Sequence, residues 1–161
     1  MSETTYPFRS SMMIVEPAWI DYNGHLNMAY YNVLFDRAID EAALGLGLGP
    51  AYLAAAQASF YTAEAHIRYL HEIHAHDEVF CLTRLIEADE KRLHWWQELW
   101  CPGATVLSAT SEQLALHVDM AAKRVAPFPD HILARIAVWR ARDACLSPPA
   151  GAGRQVSLKR Q

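Results

Sequence analysis

Residues 28–44 read Met28-Ala29-Tyr30-Tyr31-Asn32-Val33-Leu34-Phe35-Asp36-Arg37-Ala38-Ile39-Asp40-Glu41-Ala42-Ala43-Leu44, and their spacing decides the fold. Tyr31, Leu34, Phe35, Ala38 and Ala42 recur three and four positions apart, which lines them up as one apolar stripe on a helix. Asn27 stands where an N-cap belongs, and Gly45, Gly47 and Gly49-Pro50 supply the stop. Val33, Ile39 and Leu44 widen the stripe beyond what one contact face needs. A helix apolar over so much of its surface has to be wrapped by other structure.

The chain beyond it supplies the wrapping. Phe60–Leu70 sets Ala63, Ala65, Ile67 and Tyr69 against Thr62, Glu64, His66 and Arg68, the alternation of a strand. Glu78–Ala88 reads as a second strand, closed by the polar turn Asp89-Glu90-Lys91. Arg92–Cys101 is a tryptophan-rich third, ended by Pro102-Gly103. Thr105–Val118 is a fourth, and Met12–Val15 could form a short leading strand. Pro127 and Pro129 introduce a last helix over Asp130–Cys145. This order predicts an α+β chain with one long helix packed on an antiparallel sheet. Residues 1–146 are expected to form one domain, and 147–161, with two prolines and two glycines, a flexible tail.

Composition narrows the function. With 161 residues, 52% of them hydrophobic and 20% charged, the chain has material for one core. A domain of this size buries roughly 70% of its unfolded surface and needs no disulfide or metal to fold. A net charge of −4, with no basic cluster longer than a pair such as Lys91-Arg92 or Lys123-Arg124, argues against nucleic acid as a partner. No run approaches the about 20 apolar residues of a membrane span. Met1–Ser10 lacks the basic and apolar segments of a secretion signal. Three cysteines without metal-type spacing fit reduced thiols, so the cytoplasm is the expected compartment.

Chemistry concentrates just before the long helix, in Trp19-Ile20-Asp21-Tyr22-Asn23-Gly24-His25-Leu26-Asn27. Helix starts present unpaired N–H groups and partial positive charge, which can polarise a carbonyl. A carboxylate beside such a start can activate water or attack the carbonyl itself. Gly24 lets the backbone approach a ligand or take conformations other residues avoid. Turn formation and helix capping explain such residues one at a time. Four polar groups converging here exceed what a cap requires.

The pattern Asp21-x-x-Gly24-His25-x-Asn27, followed by a Tyr-bearing helix, resembles the 4-hydroxybenzoyl-CoA thioesterase-like branch of the hotdog superfamily. Asp21-Tyr22-Asn23-x-His25-x-Asn27 is also similar to the Asp/Asn/His segment of plant acyl-ACP thioesterases. Ala63-Glu64-Ala65-His66-Ile67-Arg68-Tyr69-Leu70 and Leu116-His117-Val118-Asp119-Met120 look like strands of thioesterases encoded with carnitine or betaine catabolism, the betainyl-CoA type. The likeness spans about residues 11–145. It implies a hotdog fold, a sheet wrapped around one central helix with a C-terminal helix, and a homodimer or homotetramer with active sites between subunits. It implies hydrolysis of an acyl-CoA thioester without metal or cofactor. Asp21 takes the place of the catalytic carboxylate, with Asn23 and His25 orienting water or substrate and Gly24, Asn27, Tyr30 and Tyr31 near the ligand. Two departures are visible: Trp19 where many relatives carry a second Asp, and Met28 after Asn27 where many carry a second Asn. Nucleophilic and general-base roles for Asp21 both stay open. A hotdog hydratase or dehydratase, or a non-catalytic acyl-CoA binding protein, would share the motif.

Other residues carry weaker signals. Glu64, in a strand of small and apolar residues, either faces solvent or enters the cleft as a second acid or a partner of His25. His71, His74 and His76 lack the spacing of a zinc site and read as a loop between strands. Trp19, Tyr30, Tyr31, Trp95, Trp96 and Trp100 suit core packing, and aromatic faces also attract quaternary ammonium groups such as a betaine-like acyl chain. Lys91-Arg92 and Lys123-Arg124 are solvated turns or contacts for coenzyme A phosphates.

Overall fold

The structure is a computed structural model, and residues 7–103 and 105–158 are described. Most of the Met1–Ser10 segment read for a secretion signal therefore lies outside the described residues, as does the end of the tail. Helix α1 runs Met28–Leu46, two residues longer than its stripe predicted. It stops where Gly47 turns left-handed, φ 82°, and donates its N–H back to the last turn. A second helix, α2 (Pro50–Ala56), follows where a loop was expected. It is a single short stretch opened by a proline and buries none of its residues, so it carries no stripe to read.

The strands are β1 (Phe8–Arg9), β2 (Met13–Ile14), β3 (Ala58–Tyr69), β4 (Glu78–Ala88), β5 (Arg92–Trp100), β6 (Ala109–Asp119) and β7 (Arg124–Val125), and α3 (Asp130–Asp143) closes the fold. All pair antiparallel in the order β1-β4-β5-β6-β3, with β2 also on β4 and β7 on β6. The fourth long strand starts at Ala109 rather than Thr105: the register with β5 begins at the Leu99–Ala109 pair, and before it only Ser108 N–H reaches β5, donating to Leu99 O at 3.0 Å, among the described residues. In β3 a bulge at Ala63 interrupts the expected alternation. Thr62 consequently shares a face with Ala65 and bonds to Gln113 at 3.2 Å.

One sheet face holds α1. Val79, Cys81, Leu85, Leu93, Trp95, Leu99 and Ala115 are buried at alternate positions, as a half-buried strand demands. They meet Leu34, Phe35, Ala38, Ile39, Ala42 and Leu46 from the helix. Thr83, Gln97, Ser111 and Gln113 form a buried polar row under it. Gln97 donates to the Phe35 carbonyl at 3.0 Å, and Gln113 donates to Gln97 at 3.0 Å, so these amides find partners inside the core. Helix α3 brings Ile132, Ile136 and Trp139 against the far half of α1.

After α3 the chain meets the opposite face of the sheet. Arg84 donates to Ser147 O at 2.7 Å, and Gly153 N–H donates to Glu112 at 2.8 Å. Trp96 on that face is buried. Among the described residues no helix is long and apolar enough to cross a membrane.

Candidate active site

The Asp21–His25 segment is a closed loop. Ile20 and Leu26 form an isolated antiparallel bridge, and Asp21 N–H donates to the His25 carbonyl at 3.1 Å. Inside it, Gly24 N–H donates to Asp21 O at 3.0 Å and Asn23 N–H to Asp21 Oδ1 at 2.8 Å. Gly24 has φ 85°, the left-handed conformation that the tight turn needs and that glycine adopts freely. Asn27 then fixes where the helix begins: its Oδ1 accepts Ala29 N–H at 2.9 Å, and its own N–H donates to Trp19 O at 3.0 Å.

A hollow of about 400 Å³ opens at this helix start. Asp21, His25, Leu26 and Met28 line it together with Tyr31, Tyr69 and the loop Leu70–Glu72. Among the described residues the Met28 N–H has no acceptor within the chain, which leaves it available at the helix's positive end. The Tyr31 and Tyr69 rings meet edge to face with centroids 5.0 Å apart. Burial, with Tyr69, Cys101 and Glu72 nearby, pushes the Tyr31 phenol up to about 12, so it stays neutral. Glu72 Oε1 stands 3.9 Å from His25 Nε2.

The residues singled out in the sequence divide. Asp21, His25 and Tyr31 reach the hollow together. Asn23 and Gly24 occupy the exposed tip of the loop, outside the lining. Asn27 acts as the cap, and Tyr30 stacks on Trp19 with centroids 5.5 Å apart and planes 11° from parallel. Glu64 lies elsewhere, beside His66, His94 and Glu112. Lys91 and Arg92 pair with Glu90 and Asp89 on their own turn. Among the described residues no three His, Cys, Asp or Glu side chains group as a metal site.

The sequence reading missed Met28, Tyr69, Leu70 and Glu72 as walls of the hollow, and it placed His71 only in a loop. Their loop is held by its backbone: Leu70 and His71 N–H both donate to Ser108 O, and Leu26 N–H donates to Ile73 O at 2.7 Å. No local motif announces such a long-range clamp.

Comparison with known proteins gives the family. The thioesterase-like superfamily profile matches residues 15–136. The betainyl-CoA thioesterase of Pseudomonas aeruginosa is 38% identical over 144 residues, 89% of this chain and 91% of that protein. An L-carnitine dehydrogenase/betainyl-CoA thioesterase of Rhizobium meliloti is 36% identical over 96% of this chain; the chain spans 31% of that longer relative. Among solved structures, a Pseudomonas putida protein assigned as a thioesterase superposes with TM-score 0.82 at 32% identity, covering 95% of this chain and 97% of that one. A Staphylococcus aureus protein solved in complex with CoA gives TM-score 0.85 at 23% identity over 92% and 94% of the two chains, a likeness of fold.

Proposed function

The chain belongs to the thioesterase-like superfamily, and from that premise we infer that this thioester hydrolase cleaves an acyl-CoA whose short acyl group carries a quaternary ammonium centre. One observation carries the reading: Asp21, His25 and Met28, the first residue of α1, line a single hollow with Tyr31 and Tyr69. The thioester carbonyl docks on the start of α1, where Met28 N–H and the helix's partial charge stabilise the developing oxyanion. Asp21 takes a proton from water as the water attacks, or attacks the carbonyl itself and forms an anhydride that water then opens. The C–S bond breaks, the thiolate leaves and gains a proton, and free acid and CoA result. His25 orients water and substrate around it. The step consumes only water.

The acyl group is argued from the tyrosine walls and from the names of the relatives. Aromatic faces attract a trimethylammonium group. A long β3 edge, exposed from Tyr61 to Ala65, supports pairing with a second copy beside the site. The free thiols of Cys81, Cys101 and Cys145 fit a cytoplasmic setting.

Thiol release from acetyl-, medium-chain, aromatic and betainyl-CoA tests the reading. Rapid release from betainyl-CoA is expected. Thiol release from other esters only would overturn the acyl assignment. A change in enoyl absorbance without thiol would mean hydration, and tight binding without release a carrier role.

A further inference from the structure

We propose that Glu72 is the residue that reads the charge of the acyl group, an inference that rests on the thioesterase reading above. Its place is fixed from both sides. Upstream, Leu70 and His71 are tied to Ser108; downstream, the fully buried Ile73 accepts Leu26 N–H, and His74 N–H donates to Asp77 at 2.8 Å. Because Leu26 and Ile73 are bonded, the residues before them, His25 and Glu72, lie side by side. The backbone of Glu72 is thus held, while its carboxylate, 68% exposed, stays at the mouth of the hollow.

Among the described residues that carboxylate forms no ion pair with a Lys or Arg. Its nearest ionisable neighbours are His25 and His74, each 3.9 Å from one of its oxygens. Among the described residues no Lys or Arg lines the hollow, and Asp21 adds a second carboxylate. A site with two carboxylates against two tyrosine rings complements a cation that cannot donate hydrogen bonds. An uncharged acyl group of the same shape would gain nothing from Glu72. Since the carboxylate stands in water, its effect is modest, about five-fold in kcat/KM.

The test compares betainyl-CoA with 3,3-dimethylbutanoyl-CoA, which replaces the quaternary nitrogen by carbon and keeps the shape. Wild type is expected to favour the cationic ester. Glu72→Gln should lower kcat/KM about five-fold for betainyl-CoA and leave the neutral ester within two-fold, and added salt should shrink the wild-type preference. An unchanged ratio between the two esters in Glu72→Gln would overturn the proposal, and an equal fall for both would assign Glu72 to holding His25 instead. Thiol release by wild type from neither ester would overturn the acyl assignment, and the charge-reading role with it.

Discussion

Asp21 Oδ1 accepts the backbone N–H of Asn23 at 2.8 Å, so the residue that shapes the loop also lines the hollow. Among the described residues its Oδ2 takes no protein donor, which leaves one oxygen for the turn and one for chemistry. The turn-forming and catalytic interpretations of Asp21 are therefore compatible, and substitutions can separate them.

Asp21→Asn keeps an acceptor for Asn23 N–H and loses the basic oxygen. Its thermal midpoint should match wild type while kcat falls about 10²- to 10⁴-fold. Asp21→Ala should lose turnover and in addition about 1 kcal/mol of stability, because the turn bond goes too. Circular dichroism melts beside thiol-release assays check both. Full turnover in Asp21→Asn would remove the carboxylate from the mechanism.

Asn27 gives a second separation. Replacing it by Ala removes the acceptor of Ala29 N–H and should cost about 0.5–2 kcal/mol. Asn27→Asp restores the cap and should restore the melting temperature. Because the cap sets where the free Met28 N–H points, kcat should fall in Asn27→Ala more than KM rises, which steady-state kinetics would show.

Much of this architecture could be read from the chain because the deciding signals were local. The α1 stripe, its Asn27 cap and its glycine stop lie within one segment, and β4 spans Glu78–Ala88, the range read from the sequence up to the polar turn that closes it. The Asp21–His25 loop is equally local: a single turn brings two polar side chains to one hollow. What was not legible depends on long-range contacts. Glu72 reaches His25 through a bond between Leu26 and Ile73, residues that no motif links. The bulge at Ala63 resets the face of every β3 residue before it, and strict alternation gives no sign of it. Seven-residue α2 packs too little of itself to show a period.

Gly47 ends α1 at φ 82°, and a side chain added there would meet the Arg135 guanidinium and, at 3.3 Å, Ile132 Cδ1. Gly47→Ala therefore meets both an unfavourable conformation and crowding from α3. It should lower stability by about 1–3 kcal/mol, measured by urea denaturation. The site lies at the other end of α1, so kcat at low temperature should stay near wild type.

Asp143 links α3 to the sheet and makes stability depend on pH. Its Oδ2 accepts Leu85 N–H at 2.6 Å and the Trp139 indole N–H at 2.9 Å, and the residue is 2% exposed. Burial raises its carboxyl above the usual range; the two bonds and the nearby Arg84 oppose this only in part. The folded protein then holds the proton more tightly than the unfolded chain does. By linkage, the Asp143 contribution is fully present below the unfolded value of about 3.9 and is lost as pH rises through the raised folded value. Asp143→Asn cannot titrate, and its amide oxygen can accept the same two donors. Melting temperatures of both proteins should therefore draw together at low pH or favour wild type there, with wild type losing ground to the variant as pH rises through the raised value. A wild type that gains on Asp143→Asn over the same rise would show the opposite: Leu85, Trp139 and Arg84 outweigh burial, and the carboxylate is the form the fold prefers.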